Sequence, residues 1–113
     1  MNNITSPQVT DDNIEAEIVA KGLTAPRVTT DQIKALLDRI SRSFHVQETS
    51  TFCYGFLDGE FLVASGHSAC VSKENFDHAI GRKIALTDML AQANKRLWEL
   101  EGYALRKKLK GEL

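Results

Sequence analysis

Two runs of alternating residues, Thr51-Phe52-Cys53-Tyr54-Gly55-Phe56-Leu57 and Glu60-Phe61-Leu62-Val63-Ala64-Ser65-Gly66, flank the dipeptide Asp58-Gly59. No other feature constrains the fold as much. Asp-Gly is preferred in type I′ turns because both central residues need positive φ, so the runs read as a β-hairpin. Phe44-His45-Val46-Gln47-Glu48-Thr49 precedes them and reads as a further strand. A sheet of at least three antiparallel strands is expected between about Phe44 and Val71. Phe52, Tyr54 and Phe56 fall on one face, and Cys53, Gly55 and Leu57 on the other. The small residues Gly55, Ala64 and Gly66 imply close approach by a helix or another chain.

The flanking segments have helical periodicity. Asp11 or Asp12 can cap a short helix, Asp12–Lys21, with Ile14, Ile18 and Val19 on one face and Gly22 closing it. Pro26 holds Leu23–Val28 extended. Thr29 then opens a second helix, with Gln32 three residues on in a capping-box pattern. Ile33, Leu36, Leu37 and Ile40 supply its stripe. After the sheet, Ser72 can cap a helix beginning near Lys73, whose apolar positions are Phe76, Ile80, Ile84, Leu90, Leu97 and Leu100. Unbroken to Leu109 it would span ~55 Å at 1.5 Å per residue, whereas a compact domain of this length has a radius of gyration near ~13 Å. The helix therefore breaks near Glu101-Gly102, or it projects and packs on another subunit. The expected architecture is α+β: N-terminal helices, a three-stranded antiparallel meander, and a long C-terminal helix or helix pair. Residues 1–10 read as a disordered lead-in and 11–113 as a single domain.

At 113 residues, 42% hydrophobic and net charge −1, the chain has the composition of an ordinary globular domain with no global field for nucleic acid or anionic membrane. No DNA or RNA partner and no membrane partner is expected. The first 13 residues lack the apolar core of a signal peptide, and no apolar run approaches the ~20 residues of a spanning helix. Cys53 and Cys70 read as free thiols in a reducing cytosol. Lys95, Arg96, Arg106, Lys107, Lys108 and Lys110 crowd the last helix; such a face either accepts an anion or is simply solvated.

Catalytic patterns are missing. His67-x-x-Cys70 with Cys53 upstream lacks the second ligand pair that structural zinc requires. Cys70 near a helix start resembles an activated thiol, but no orienting third group or oxyanion motif accompanies it. There is neither a phosphate-binding glycine loop nor a paired-carboxylate constellation. The chain reads as a binding protein rather than an enzyme, with no cofactor and no metal. Trp98 and Tyr103, beside Arg96 and Arg106, pack in a core or interface, or form a stacking and phosphate-binding surface.

Four blocks carry a resemblance: Ala25-Pro26-Arg27-Val28-Thr29; Gly66-His67-Ser68-Ala69-Cys70-Val71; Glu74-Asn75-Phe76-Asp77 with Gly81-Arg82-Lys83-Ile84-Ala85; and Leu97-Trp98-Glu99-Leu100-Glu101-Gly102-Tyr103-Ala104-Leu105. In order and spacing, from about Ala25 to Leu109, they resemble the gene-49-product/gene-66-product family of podoviral proteins. That resemblance implies a phage or prophage origin and the cytoplasm of an infected bacterium. The architecture is also similar to that of phage sponges that sequester cyclic ADP-ribose signals of the Thoeris defence at a subunit interface. This second likeness implies a homo-oligomer, a dimer or higher, and the long apolar stripe itself argues for association through the Phe76–Leu100 helix. The likeness also implies a small nucleotide ligand held without cleavage, with Arg27 and Arg106 as pyrophosphate clamps, Phe76 stacking on adenine, and Trp98 and Tyr103 nearby. The alternative is an accessory protein that inhibits or redirects a host protein. One departure stands out: Asp88, in Leu86-Thr87-Asp88-Met89, puts an acid where the family usually has Asn.

Overall fold

The computed structural model describes residues 9–112; the expected lead-in lies outside them except for Val9 and Thr10. Helix α1 spans Asp11–Ala20 and α2 spans Thr30–Leu37. Strands β1 (Ile40–Gln47), β2 (Ser50–Leu57) and β3 (Phe61–Ala69) follow, then a short 3-10 turn over Lys73–Asn75 and helix α3, His78–Leu109. The sheet is an antiparallel meander in the order β1-β2-β3. The α+β expectation holds.

The hairpin forms as its turn chemistry requires. Asp58 and Gly59 both have positive φ, 55° and 73°, and the Glu60 N–H donates to the Leu57 carbonyl at 3.1 Å. A register shift beside Gly55/Phe56 pairs Gly55 with Ala64 and Phe56 with Leu62. Val63 is thereby an extra residue, a bulge, and its side chain is buried. Thr29 caps α2 by accepting from the Gln32 N–H at 3.1 Å.

Several local expectations shift. The hydroxyl of Thr10, not Asp11 or Asp12, caps α1 by accepting from the Asn13 N–H. No residue of α1 is buried, and Ile14 and Val19 stay largely exposed, so polar bonds rather than an apolar stripe must hold this helix. Ile40 is the first residue of β1, not the last turn of α2: Arg39 in the intervening turn is held by both carboxylate oxygens of Asp58, at 2.7 and 2.9 Å. β1 therefore starts before Phe44 and pairs along all of β2. Asp77, not Ser72, caps α3, its carboxylate accepting from the Ile80 N–H at 2.9 Å.

Helix α3 runs unbroken through Gly102, and its 32 residues span about 48 Å. A mid-helix glycine costs only ~1 kcal/mol, too little to outweigh the bonds on either side. The buried stripe keeps only Leu97 of the large apolar set expected. It is Gly81, Ala85, Met89, Ala93 and Leu97, while Ile80, Ile84, Leu90 and Leu100 remain exposed. Small side chains let the helix backbone come close to the sheet. A Cβ on Gly66 would collide with the Ala85 carbonyl oxygen and lie 2.8 Å from the Met89 Cα. Steps of four residues also turn the stripe around the helix, since four residues exceed one 3.6-residue turn. Gly81, Ala85 and Met89 accordingly lie over Thr51, Gly66 and Gly55, and the later turns meet α1 and α2, where Gln32 donates to Glu101 at 3.0 Å. The core comprises Ile33, Cys53, Val63, Ala85, Met89, Ala93 and Leu97.

Candidate functional site

Arg27 does not stand free. Pro26 sets the extended segment that points its guanidinium at α1, where it forms a bidentate pair with Glu15: Nη1 to Oε1 at 3.0 Å and Nη2 to Oε2 at 2.5 Å. The same carboxylate accepts from the Thr30 N–H and hydroxyl, both at 3.2 Å. The Arg27 hydrogen bonds, then the Thr30 N–H, draw the Glu15 pKa from 4.5 down to about 2, and Glu15 raises that of Arg27. Trp98 Nε1 and Asn94 Nδ2 donate to Asp11 Oδ2 at 3.1 and 3.2 Å. These bonds hold α1 against α2 and α3.

Arg27 and Trp98 thus line one cavity of about 350 Å³, with Ile14, Ile18 and Val28 as its apolar wall and Asp11 and Glu15 as its acids. A phosphate entering here would have to displace Glu15 from Arg27. The other three candidates lie elsewhere. Phe76, half-buried, meets the His78 ring edge-on at 4.8 Å at the start of α3. Tyr103 is 62% exposed, with Lys107 Nζ 5.6 Å from its ring centre. Arg106 is exposed beside a shallow cavity of about 290 Å³ with Gly102, Leu105 and Leu109. From His78 to Arg106 the helix covers about 42 Å at 1.5 Å per residue. One chain therefore does not bring Phe76 and Arg106 onto the same small ligand.

Asp88, the unexpected acid, has a structural task. Its Oδ2 accepts the backbone N–H of His67 at 2.9 Å, at the outer edge of β3. Cys70 donates its thiol to the Ser72 carbonyl at 3.3 Å, and Cys53 is fully buried, its pKa raised by burial. Among the described residues, no group of three His, Cys, Asp or Glu gathers as a metal site, and no helix is long and apolar enough to cross a membrane.

The most organised surface is one that sequence reasoning did not single out as a site. Helix α3 covers the face of β2 bearing Thr51, Cys53 and Gly55. Among the described residues no helix lies over the opposite face, bearing Phe52, Tyr54 and Phe56, and those rings are only half-buried. Strand register sets them in rows: His45, Phe52 and His67 abreast, then Ser43, Tyr54 and Ser65. The rings lie near-parallel, Phe52 to His67 at 4.7 Å and 18°, Phe52 to Tyr54 at 6.4 Å and 6°. His45 joins from β1 at 6.3 Å and 30°. An aromatic column is flanked on both sides by hydrogen-bonding side chains. The signal was present in the alternation itself: where one face of β2 is kept small for a helix, the large aromatic side chains fall on the other face.

Residues 9–109 match the family described as "Phage protein (N4 Gp49/phage Sf6 gene 66) family". Neither a curated protein nor a solved structure matches the chain.

Proposed function

The chain belongs to this bacteriophage family, and from that premise we propose that it is an anti-defence protein of the infected host's cytoplasm. It binds and sequesters a nucleotide second messenger of the cyclic ADP-ribose type without cleaving it. The observation that supports this reading is the open aromatic column Phe52-Tyr54-Phe56, flanked by His45, His67, Ser43 and Ser65. Planar bases stack on such sheet-borne rings, at about 1–3 kcal/mol per base. Flanking imidazoles and hydroxyls supply donors and acceptors for ribose and phosphate oxygens. Arg27 stays with Glu15 in this reading and serves as a brace for α1.

Calorimetry of the purified protein against cyclic ADP-ribose isomers, ADP-ribose and cyclic nucleotides tests it. One of these ligands should bind and be recovered intact after denaturation. Phe52→Ala should weaken binding by about five- to 150-fold, at ~1.4 kcal/mol per decade. Failure of every nucleotide to bind would end the reading, and a hydrolysed product would replace sequestration with catalysis.

A second reading has its own support. Ile80 and Ile84 are 57% and 50% exposed on α3, beside an open cavity of about 480 Å³ lined by Lys83, Thr87, Asp88 and Ala91. A host protein seated there would make the chain an inhibitor or adaptor. Ile84→Glu would abolish such an interaction and leave nucleotide binding unchanged.

A further inference from the structure

The two edges of the sheet are treated differently. The Cys70 N–H donates to the Thr49 carbonyl at 3.0 Å, so Thr49 and every second residue after it direct their backbone groups at β3. Their neighbours Ser50, Phe52, Tyr54 and Phe56 direct theirs at β1. By the β1–β2 register, Gln47, His45, Ser43 and Ser41 use their backbone groups on β2. Ile40, Arg42, Phe44 and Val46 therefore turn their N–H and C=O groups outward, away from the sheet. On the far side, the corresponding outward N–H of His67 in β3 is capped by Asp88. Among the described residues, no side chain covers the outward groups of β1.

We propose that this free edge of β1 pairs antiparallel with β1 of a second copy of the chain, joining two three-stranded sheets into one across a twofold axis. An eight-residue edge without proline, lysine or bulge is a template for another strand unless something blocks it. Side chains point the same way: Ser41 through His45 are all exposed, and Phe44 is 37% exposed on the α3 side of the sheet. Beneath β1, Leu37, Ile40, Met89 and Leu90 line a trough of about 270 Å³, whose open side a second copy would close.

Charge selects the register. Centring the axis on Arg42 would oppose two guanidinium groups. Centring it on Ser43 sets Ile40 against the partner's Val46 and Arg42 against the partner's Phe44. Every outward N–H and C=O of both strands then finds a mate, and each Arg42 lies beside an aromatic ring, an attractive cation–π arrangement. This inference is independent of the nucleotide reading, since it needs no ligand, and it locates self-association at β1 rather than along α3.

Sedimentation equilibrium at tens of micromolar should give twice the 12.6 kDa chain mass. Amide exchange on the same sample should show Arg42, Phe44 and Val46 protected as well as Ser43 and His45. Arg42→Pro removes the outward N–H and the guanidinium but none of the β1–β2 hydrogen bonds, and should give a folded monomer, whereas Ile84→Glu should leave the dimer intact. A monomeric parent overturns the inference. So does a dimer with fast-exchanging outward amides, or one that Ile84→Glu dissociates and Arg42→Pro does not. Should Arg42→Pro fail to fold, exchange in the parent decides alone.

Discussion

Asp88 Oδ2 accepts the outward backbone N–H of His67 at 2.9 Å, capping one donor on an edge that β-pairing would otherwise use. A charged acceptor strengthens such a bond, but its exposure brings it toward the ordinary ~1 kcal/mol. Asp88→Ala should therefore lower stability only by about that much. Its larger effect should be on assembly: with both edges open, dimers can add to one another in a non-closing series. Sedimentation velocity should show species larger than the dimer for Asp88→Ala and none for the parent.

Acid should loosen α1 before the sheet. The Glu15 carboxyl, ordinarily at 4.5, is held at about 2, first by the Arg27 guanidinium and then by the Thr30 N–H. A folded-state pKa below the unfolded one means that this stabilisation is complete above about pH 4.5 and disappears as pH falls toward 2. Thermal melts should be flat in this component above about pH 5 and decline below it. Glu15→Gln should remove that component of the decline. An unchanged acid limb in Glu15→Gln would show that the pair contributes nothing.

How much of this was legible in the chain depends on the range of each interaction. The Asp58-Gly59 turn and the Thr29 cap follow from chemistry within four residues, and both form as expected. The start of α3 moved from Ser72 to Asp77 because two adjacent caps compete and only the Asp77 carboxylate reaches a helical N–H. Helical periodicity in α3 was read from its large residues, yet Gly81, Ala85 and Met89 face the sheet, because proximity to Gly66 and Gly55 outweighs the area that Ile80 or Ile84 would bury. The site was least legible. Arg27 finds Glu15 12 residues away and Trp98 finds Asp11 at a separation of 87, and neither partner is implied by local pattern. Phe52 and Tyr54 were placed on the correct face, but which face was open depended on where α3 docked.

The two thiols should differ sharply in reactivity. Cys53 is fully buried, and burial raises its pKa, so its thiolate is scarce and shielded. Cys70 is half-buried at the end of the sheet, with its thiol on the Ser72 carbonyl. A disulfide-exchange reagent should label Cys70 in the native protein, and Cys53 only as fast as the chain unfolds. Equal rates would mean that the sheet–helix layer opens locally around Cys53.

Thr51 should tolerate the loss of its hydroxyl. Its Oγ1 is buried and has no hydrogen-bond partner among the described residues, in a strand whose Cys53 neighbour on the same face is equally buried. An unsatisfied buried polar group costs about 1–3 kcal/mol. Thr51→Val keeps the β-branched shape and removes the polar atom, so it should stabilise by roughly 1 kcal/mol in urea denaturation. A loss of more than about that amount would reveal a bound water serving the hydroxyl.

Glycines beneath α3 should rank by what their missing side chains would strike. At Gly66 an added methyl would collide with the Ala85 carbonyl oxygen and the Met89 backbone nitrogen. Backbone atoms of a hydrogen-bonded helix cannot step aside singly, so the whole helix must lift from the sheet. At Gly55 the methyl would instead meet the thioether end of Met89 and lie 3.1 Å from Ile40 Cγ2. The Met89 side chain has rotatable bonds with which to withdraw. Overpacking a core costs typically ~1–3 kcal/mol; Gly66→Ala should sit at or above the top of that range and Gly55→Ala near the bottom. Both substitutions gain similarly from the lower chain entropy of alanine, roughly 0.5–1 kcal/mol, so their difference isolates the contact. Urea midpoints of the two variants, at equal denaturation slopes, give the comparison directly. Equal losses would mean that α3 can shift bodily over the sheet, and that the small-residue stripe does not set its height.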